Sequence, residues 1–145
     1  MLSLSLKRVI RANPERVFRA WTNAEDLAKW HCPIGMTVSH ALCVPEVGGR
    51  FSVNMVGEDG NNHRAVGTYL ELEPPSKVRF TWDWEEGGDT GANTEVTVKI
   101  ASLNDSECEV TLTHERFESA EGRDSHSEGW TGALTNLANY LEESE

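Results

Sequence analysis

The sequence predicts an α+β fold with its helices gathered on one side of an antiparallel sheet. Three observations carry this. From about residue 37 to residue 117, apolar side chains recur at every second position in one segment after another, the period of half-buried strands. The separators between these segments are mostly short and rich in Gly, Pro, Asn and Asp, which suits hairpins and not crossovers. Before and after the run, the spacing changes to the three-and-four of helices.

The elements follow in order. Leu2, Leu4 and Leu6 alternate with Ser3, Ser5 and Lys7 and continue through Val9 and Ile10, giving the first strand. At Asn13-Pro14 a helix starts, with Asn13 as N-cap and Pro14 where its missing N–H costs nothing; Val17, Phe18 and Trp21 form the buried stripe. Asn23, three positions before Asp26, caps a second short helix carrying Leu27, Ala28 and Trp30. Cys32-Pro33-Ile34-Gly35 ends the helical pattern. Strands are then expected at about 37–44, 50–57, 63–73, 77–85, 94–102 and 107–117. On the buried parity stand Phe51, Val53 and Met55; Val78, Phe80, Trp82 and Trp84; Val96, Val98 and Ile100; and Cys108, Val110, Leu112 and His114. The segment with Tyr69 is ambiguous, since Leu70 and Leu72 share one parity and Gly67, Tyr69 and Glu71 the other; Tyr69 is placed inward. Glu86–Asn93 is the longest connection and is expected to be the most mobile. Beyond the polar stretch Glu118–Asp124, Ser125-His126-Ser127-Glu128 has capping-box spacing and predicts a helix from Ser125, with Trp130, Leu134, Leu137 and Leu141 along one stripe.

Composition bounds the rest. The 145 residues fit one domain, 1–145, and 38% apolar residues supply about 55 side chains for a core. A net charge of −11 argues against nucleic acid or an anionic membrane as partner. The charge is uneven, net +3 over residues 1–50 and −14 over 51–145. Three widely spaced cysteines, Cys32, Cys43 and Cys108, form neither a disulfide framework nor a zinc ribbon, which suits a reducing cytoplasm. With no signal-peptide pattern and no apolar run of membrane-spanning length, the chain is expected to be cytoplasmic, without membrane insertion, and a monomer or weak dimer. A seven-stranded twisted sheet curls, and a helix across its concave face leaves a cleft wherever side chains do not meet.

Several segments in order resemble one family: Asn13-Pro14-Glu15-Arg16-Val17-Phe18 with Ala20-Trp21-Thr22; Leu27, Trp30 and Pro33; Val47-Gly48-Gly49-Arg50-Phe51; Gly67-Thr68-Tyr69-Leu70-Glu71-Leu72-Glu73-Pro74-Pro75; Phe80-Thr81-Trp82; Glu95-Val96-Thr97-Val98; Leu112-Thr113-His114; and Gly129-Trp130 with its leucine repeat. Across nearly the whole chain this is similar to the START-like, or SRPBCC, superfamily, and within it to the family named for the activator of the ninety-kilodalton heat-shock protein ATPase. His31-Cys32 departs from the pattern, in which a second aromatic residue commonly follows the tryptophan. The resemblance implies the helix-grip fold: a curved seven-stranded antiparallel sheet, two short helices, and a long C-terminal helix over the concave face. Superfamily members include lipid and sterol carriers, polyketide cyclases, a self-sacrificing resistance protein and co-chaperones, so the fold does not by itself assign an activity.

Among candidate site residues, His114 stands first, because strand parity turns it inward with Val110 and Leu112, where an imidazole can act as acid, base or hydrogen-bond donor. A lone inward histidine is more commonly a satisfied structural group, and no base–orienter partner stands at a fixed spacing. Arg116 shares that parity and could meet a ligand anion at the cleft mouth, though an exposed salt bridge is the commoner use. Trp82, Trp84, Trp130, Phe51, Tyr69 and Trp30, with Met55, Leu112 and Leu134, could line a pocket for a planar apolar ligand or could equally be core. The helix-stripe spacing of Trp21 reads as packing. His31-Cys32, His40, Cys43, His63 and His126 show no metal spacing, Gly48-Gly49 and Gly87-Gly88 no phosphate-loop pattern, and no G-x-S-x-G is present, so neither metal nor cofactor is expected.

The leading expectation is therefore binding of a small hydrophobic ligand, aromatic or lipid-like, between sheet and helix, with His114 fixing its orientation. The resemblance gives a second reading, a protein-contact activator of a heat-shock-protein ATPase. A third is a cyclase or isomerase with His114 as acid–base catalyst. Of these, the enzymatic reading ranks last.

Overall fold

The computed structural model describes residues 2–84, 94–117 and 119–143. The Glu86–Asn93 connection therefore lies outside the described residues. Ten elements follow in chain order: β1 (Leu2–Ile10), α1 (Pro14–Thr22), α2 (Ala24–Trp30), β2 (Thr37–Cys43), β3 (Arg50–Val56), β4 (Asn62–Glu73), β5 (Lys77–Trp84), β6 (Thr94–Ser102), β7 (Cys108–Phe117) and α3 (Ala120–Glu143).

The strands form one curved antiparallel sheet in the order β1-β7-β6-β5-β4-β3-β2. β2 to β7 make a continuous meander, and β1 closes the far edge against β7, pairing Leu4 with His114 and Ile10 with Cys108. Both caps form as the sequence suggests: Asn13 Oδ1 accepts from the Arg16 N–H at 2.8 Å, and Asn23 Oδ1 from the Asp26 N–H at 3.1 Å. The alternating residues of β3, β5, β6 and β7 are buried on a single face. Against that face α3 lays Trp130, Ala133, Leu134, Leu137, Ala138 and Leu141, all buried.

Three departures from the simple period position the site. The ambiguity in β4 resolves through a register shift between Tyr69 and Glu71. Ala65, Gly67 and Tyr69 point inward before the bulge, and Leu72 packs on the core after it, because an extra residue inverts the parity. In β7 a second bulge falls opposite Leu2/Ser3, with Arg116 in the left-handed region at φ 75°. This corrects the shared parity of Arg116 with His114 and bears out its commoner use, an exposed salt bridge: its guanidinium donates to Glu95 Oε2 at 2.6 Å. The bulge instead turns Phe117 into the core.

The third departure is the start of α3, five residues before Ser125. Ser119 does the capping: its Oγ accepts from the Gly122 N–H at 3.0 Å and its carbonyl from the Arg123 N–H at 3.1 Å. The Ser125–Glu128 pattern is thus an interior turn, and His126 joins the stripe of Trp130 and Leu134 at four-residue spacing.

The helices are tied together by Asp26, a buried carboxylate that accepts from both terminal guanidinium nitrogens of Arg16 (2.9 and 3.2 Å) and from the Tyr140 hydroxyl (2.6 Å), linking α1, α2 and α3. The loop after α2 is drawn onto α3 as well. Asn136 Nδ2 donates to the Cys32 carbonyl at 2.8 Å, and a Cβ at Gly132 would stand 2.8 Å from the Ile34 nitrogen.

Gly67 is the tightest point of the sheet interior. A Cβ there would meet the Thr81 carbonyl oxygen at 2.0 Å and the Phe51 ring at 2.5 Å. Gly67→Ala is expected to destabilise by about 3 kcal/mol, since backbone on one side and a packed ring on the other leave no room to relax. Urea unfolding of the variant checks this; a loss below about 1 kcal/mol would show that β4 can slide.

Candidate functional site

Where β5, β6, β7 and α3 meet, two tryptophan–histidine pairs fasten the helix to the sheet. The indole nitrogen of Trp130 in α3 donates to His114 Nδ1 on β7 at 3.0 Å, and that of Trp84 on β5 donates to His126 Nε2 in α3 at 3.0 Å. An indole N–H only donates, so both imidazoles are neutral and each tautomer is set. His114 carries its proton on Nε2 and gives it to Thr94 Oγ1 at 2.7 Å; the Thr94 hydroxyl passes its own to the carbonyl of Trp82, its ladder partner, at 2.7 Å. His126 carries its proton on Nδ1 and gives it to the Gly122 carbonyl at 2.8 Å. Phe117, turned inward by the bulge, lies 4.3 Å from the His114 ring and 5.1 Å from that of His126.

Burial opposes charge on both rings. Desolvation, with the neighbouring His126, pushes the His114 pKa down to about 2. Desolvation also lowers that of His126, partly offset by its bond to Gly122.

Beside this latch lies an aromatic cluster. Trp21 from α1, His31 from the end of α2, Trp82 from β5 and Trp130 from α3 are all buried, and His31 and Trp130 each meet the other three rings. His31 stacks on Trp82 at 5.5 Å and meets Trp130 at 5.4 Å and Trp21 at 5.9 Å edge-on; Trp130 lies 4.9 Å from Trp82 and 6.1 Å from Trp21. Trp30 packs edge-on against Trp21 at 4.5 Å, and Phe51 reaches Trp82 at 6.3 Å and Tyr69 at 5.5 Å. Desolvation lowers the His31 pKa to about 4, so it is neutral at pH 7. Three nitrogens in this cluster, Trp21 Nε1, His31 Nδ1 and Trp82 Nε1, are buried without a hydrogen-bond partner.

Of the residues singled out from the sequence, Trp82, His114 and Trp130 are brought into mutual contact. Trp30 joins through Trp21 and His31, and Phe51 and Tyr69 through Trp82 and each other, while Met55, Leu112 and Leu134 belong to the same buried core. The Tyr69 hydroxyl donates to the Trp21 carbonyl at 3.0 Å and the Trp30 indole to the Ala20 carbonyl at 3.0 Å, so both hold α1 in place. Sequence reasoning missed His31, Thr94, Phe117 and His126 and gave Trp21 to packing alone. Thr94 had a legible signal, the inward parity of Val96, Val98 and Ile100. His126 had one too, its helical spacing from Trp130, hidden by the capping-box reading. His31 and Phe117 had none, because a helix end and a bulge decide their direction. Among the described residues no three His, Cys, Asp or Glu side chains gather to hold a metal ion, and no helix is long and apolar enough to cross a membrane.

The model of one protein family, Activator of Hsp90 ATPase homolog 1-like protein, matches residues 11–142. The chain belongs to this family. Solved structures agree with the fold of this AHSA1-like chain. A protein from Chromobacterium violaceum shares 28% identity at a TM-score of 0.83, over 97% of this chain and 96% of that one. The AHSA1 protein from Silicibacter pomeroyi shares 26% at 0.85, over 99% and 100%. An AHSA1-like protein from Aeromonas hydrophila shares 26% at 0.81, over 99% and 94%. No curated protein matches the AHSA1-like chain. The family and the curved sheet with its long C-terminal helix fit the START-like superfamily, whose fold commonly holds ligands.

Proposed function

We propose that the protein, acting as one domain, binds a small hydrophobic ligand, aromatic or lipid-like, between the curved sheet and α3. The observation that carries this is the cluster of Trp21, His31, Trp82 and Trp130, in which three buried nitrogens lack partners although every other histidine and tryptophan nitrogen of the adjoining latch is engaged. A core built for stability alone satisfies such groups, since each left unpaired costs about 1–3 kcal/mol.

The role expected of His114 changes with the geometry. Its Nδ1 lone pair is taken by Trp130 and its Nε2 proton by Thr94. It positions Trp130 as a wall of the site, and the polar contact to a ligand passes to the cluster around His31. For the same reason acid–base catalysis by His114 is disfavoured: neither nitrogen is free to exchange a proton with a substrate.

Burying about 250 Å² of apolar ligand surface gives about 6 kcal/mol before association and ring-parting costs, which limits affinity to tens of micromolar at best and points to about the millimolar range once those costs are met. The rings now touch, so the best ligands are flat ones that replace ring–ring contact with their own faces. Titration with a panel of planar and lipid-like compounds is expected to alter tryptophan fluorescence and, at a hundredfold excess over Kd, to stabilise by about 2.7 kcal/mol, several degrees in Tm. No change in either signal across the panel would remove this reading.

The family's description supports a second reading, stimulation of a heat-shock-protein ATPase by a monomeric or weakly dimeric cytoplasmic protein. An unchanged rate of ATP hydrolysis by a purified cognate chaperone counts against it.

A further inference from the structure

The five tryptophans divide into two groups. Three find acceptors within the protein: Trp30 at the Ala20 carbonyl, Trp84 at His126 and Trp130 at His114, each at 3.0 Å. Trp21 and Trp82, at 1% and 3% exposure, do not. The histidines of the interior divide the same way, His114 and His126 being engaged on both nitrogens and His31 Nδ1 on none. The unserved groups are not scattered. The His31 ring touches the rings of both Trp21 and Trp82, and all three touch Trp130.

We propose, resting on the ligand-binding reading above, that the ligand carries one or two uncharged oxygen acceptors, ketone or quinone-type carbonyls on a planar apolar frame, received by the indole N–H groups of Trp21 and Trp82 beside His31. Donor chemistry selects an acceptor, because an indole N–H can do nothing but donate. Charge selects a neutral one. Among the described residues no lysine or arginine is buried, and His31 is neutral at pH 7 because burial holds its pKa near 4. The chain as a whole carries −11. A carboxylate in this cluster would be a buried charge without a counter-ion, whereas a carbonyl gains the two donors without that penalty. The aromatic walls receive the flat frame by stacking. His31 sets the boundary, since its Nδ1 donates or accepts according to tautomer and can serve a second polar atom.

Three probes of nearly the same shape test this at pH 7: naphthalene, 2-acetonaphthone and 2-naphthoate. The expected order is 2-acetonaphthone at least tenfold tighter than naphthalene, with 2-naphthoate no tighter than naphthalene. In ¹H–¹⁵N spectra of the unaltered protein, the indole signals of Trp21 and Trp82 move downfield with the ketone, and those of Trp30, Trp84 and Trp130 shift far less. Trp82→Phe keeps a ring and removes the N–H; it is expected to lower ketone affinity at least threefold more than naphthalene affinity, whose change reads the smaller aromatic wall alone. Equal affinity for ketone and hydrocarbon would mean that water serves these N–H groups, overturning the proposal while the binding reading stands. Tightest binding of 2-naphthoate also overturns it, and binding of none of the three overturns both. The indole shifts need no variant, so a misfolded Trp82→Phe protein does not leave the matter open.

Discussion

Lowering the pH from 7 to 4.5 is expected to remove about 5 kcal/mol of stability, through two buried histidines each losing about 1.4 kcal/mol per pH unit below 6.5. The sign follows from burial. His31 and His114 are neutral in the folded protein, their pKa values pushed down to about 4 and about 2 by desolvation, with His126 adding to the effect at His114. In the unfolded chain both titrate near 6.5, so below that pH the unfolded state takes up protons that the folded state refuses. The stabilisation is complete above about 6.5 and drains away as the pH falls toward 4. His126, also lowered by burial, acts in the same direction. Glu71 and Glu95, whose pKa values are lowered by Lys77 and Arg116 first among their partners, continue the trend below the ordinary carboxylate range. Against a total stability of about 5–15 kcal/mol this is enough to unfold a domain of this kind. Urea midpoints at pH 7, 6, 5 and 4.5 measure it, and a flat profile between 7 and 5 would mean that the interior admits charge.

His114→Ala is expected to cost about 4 kcal/mol. Truncation leaves the Trp130 N–H without its acceptor and the Thr94 oxygen without its donor, and opens a void beneath Phe117, combining an unsatisfied-group penalty with a cavity penalty. His114→Gln is expected to recover part of the loss, because one amide can both accept and donate. The latch predicts a second readout: the Trp130 indole resonance should lose its bonded shift in His114→Ala, while that of Trp84, bonded to His126, stays. A His114→Ala protein within about 1 kcal/mol of the parent would refute the latch, and one that stayed folded while losing a measurable turnover would restore the catalytic reading.

Much of the fold was legible because strands and helices leave different periods in the chain. The caps at Asn13 and Asn23, the buried parity of β3, β5, β6 and β7, and the leucine stripe of α3 are local consequences of side-chain direction. The site was legible in part. Trp82, His114 and Trp130 stand out as large or polar residues on buried faces, yet nothing in their spacing says that Trp130 donates to His114. Elsewhere single residues broke the period: one inserted near Leu70 and one at Arg116 inverted parity, exchanging Arg116 for Phe117 in the core. Ser119 also displaced the expected helix start, which brought His126 onto the stripe.

The amino-acid sequence by itself determined the class of fold, the order of its elements and which faces are apolar, since each depends on residues a few positions apart. Tertiary structure alone decided which polar groups on those faces are satisfied. The indoles of Trp21, Trp30, Trp82, Trp84 and Trp130 are chemically alike, and an N–H finds its partner across 10 residues at Trp30 and 42 at Trp84 only once sheet and helices have closed. That closure serves three of them and leaves Trp21 and Trp82 beside His31 without acceptors, so the distinction on which the proposed ligand contact rests lies in contacts between distant segments, on which local patterning has no hold.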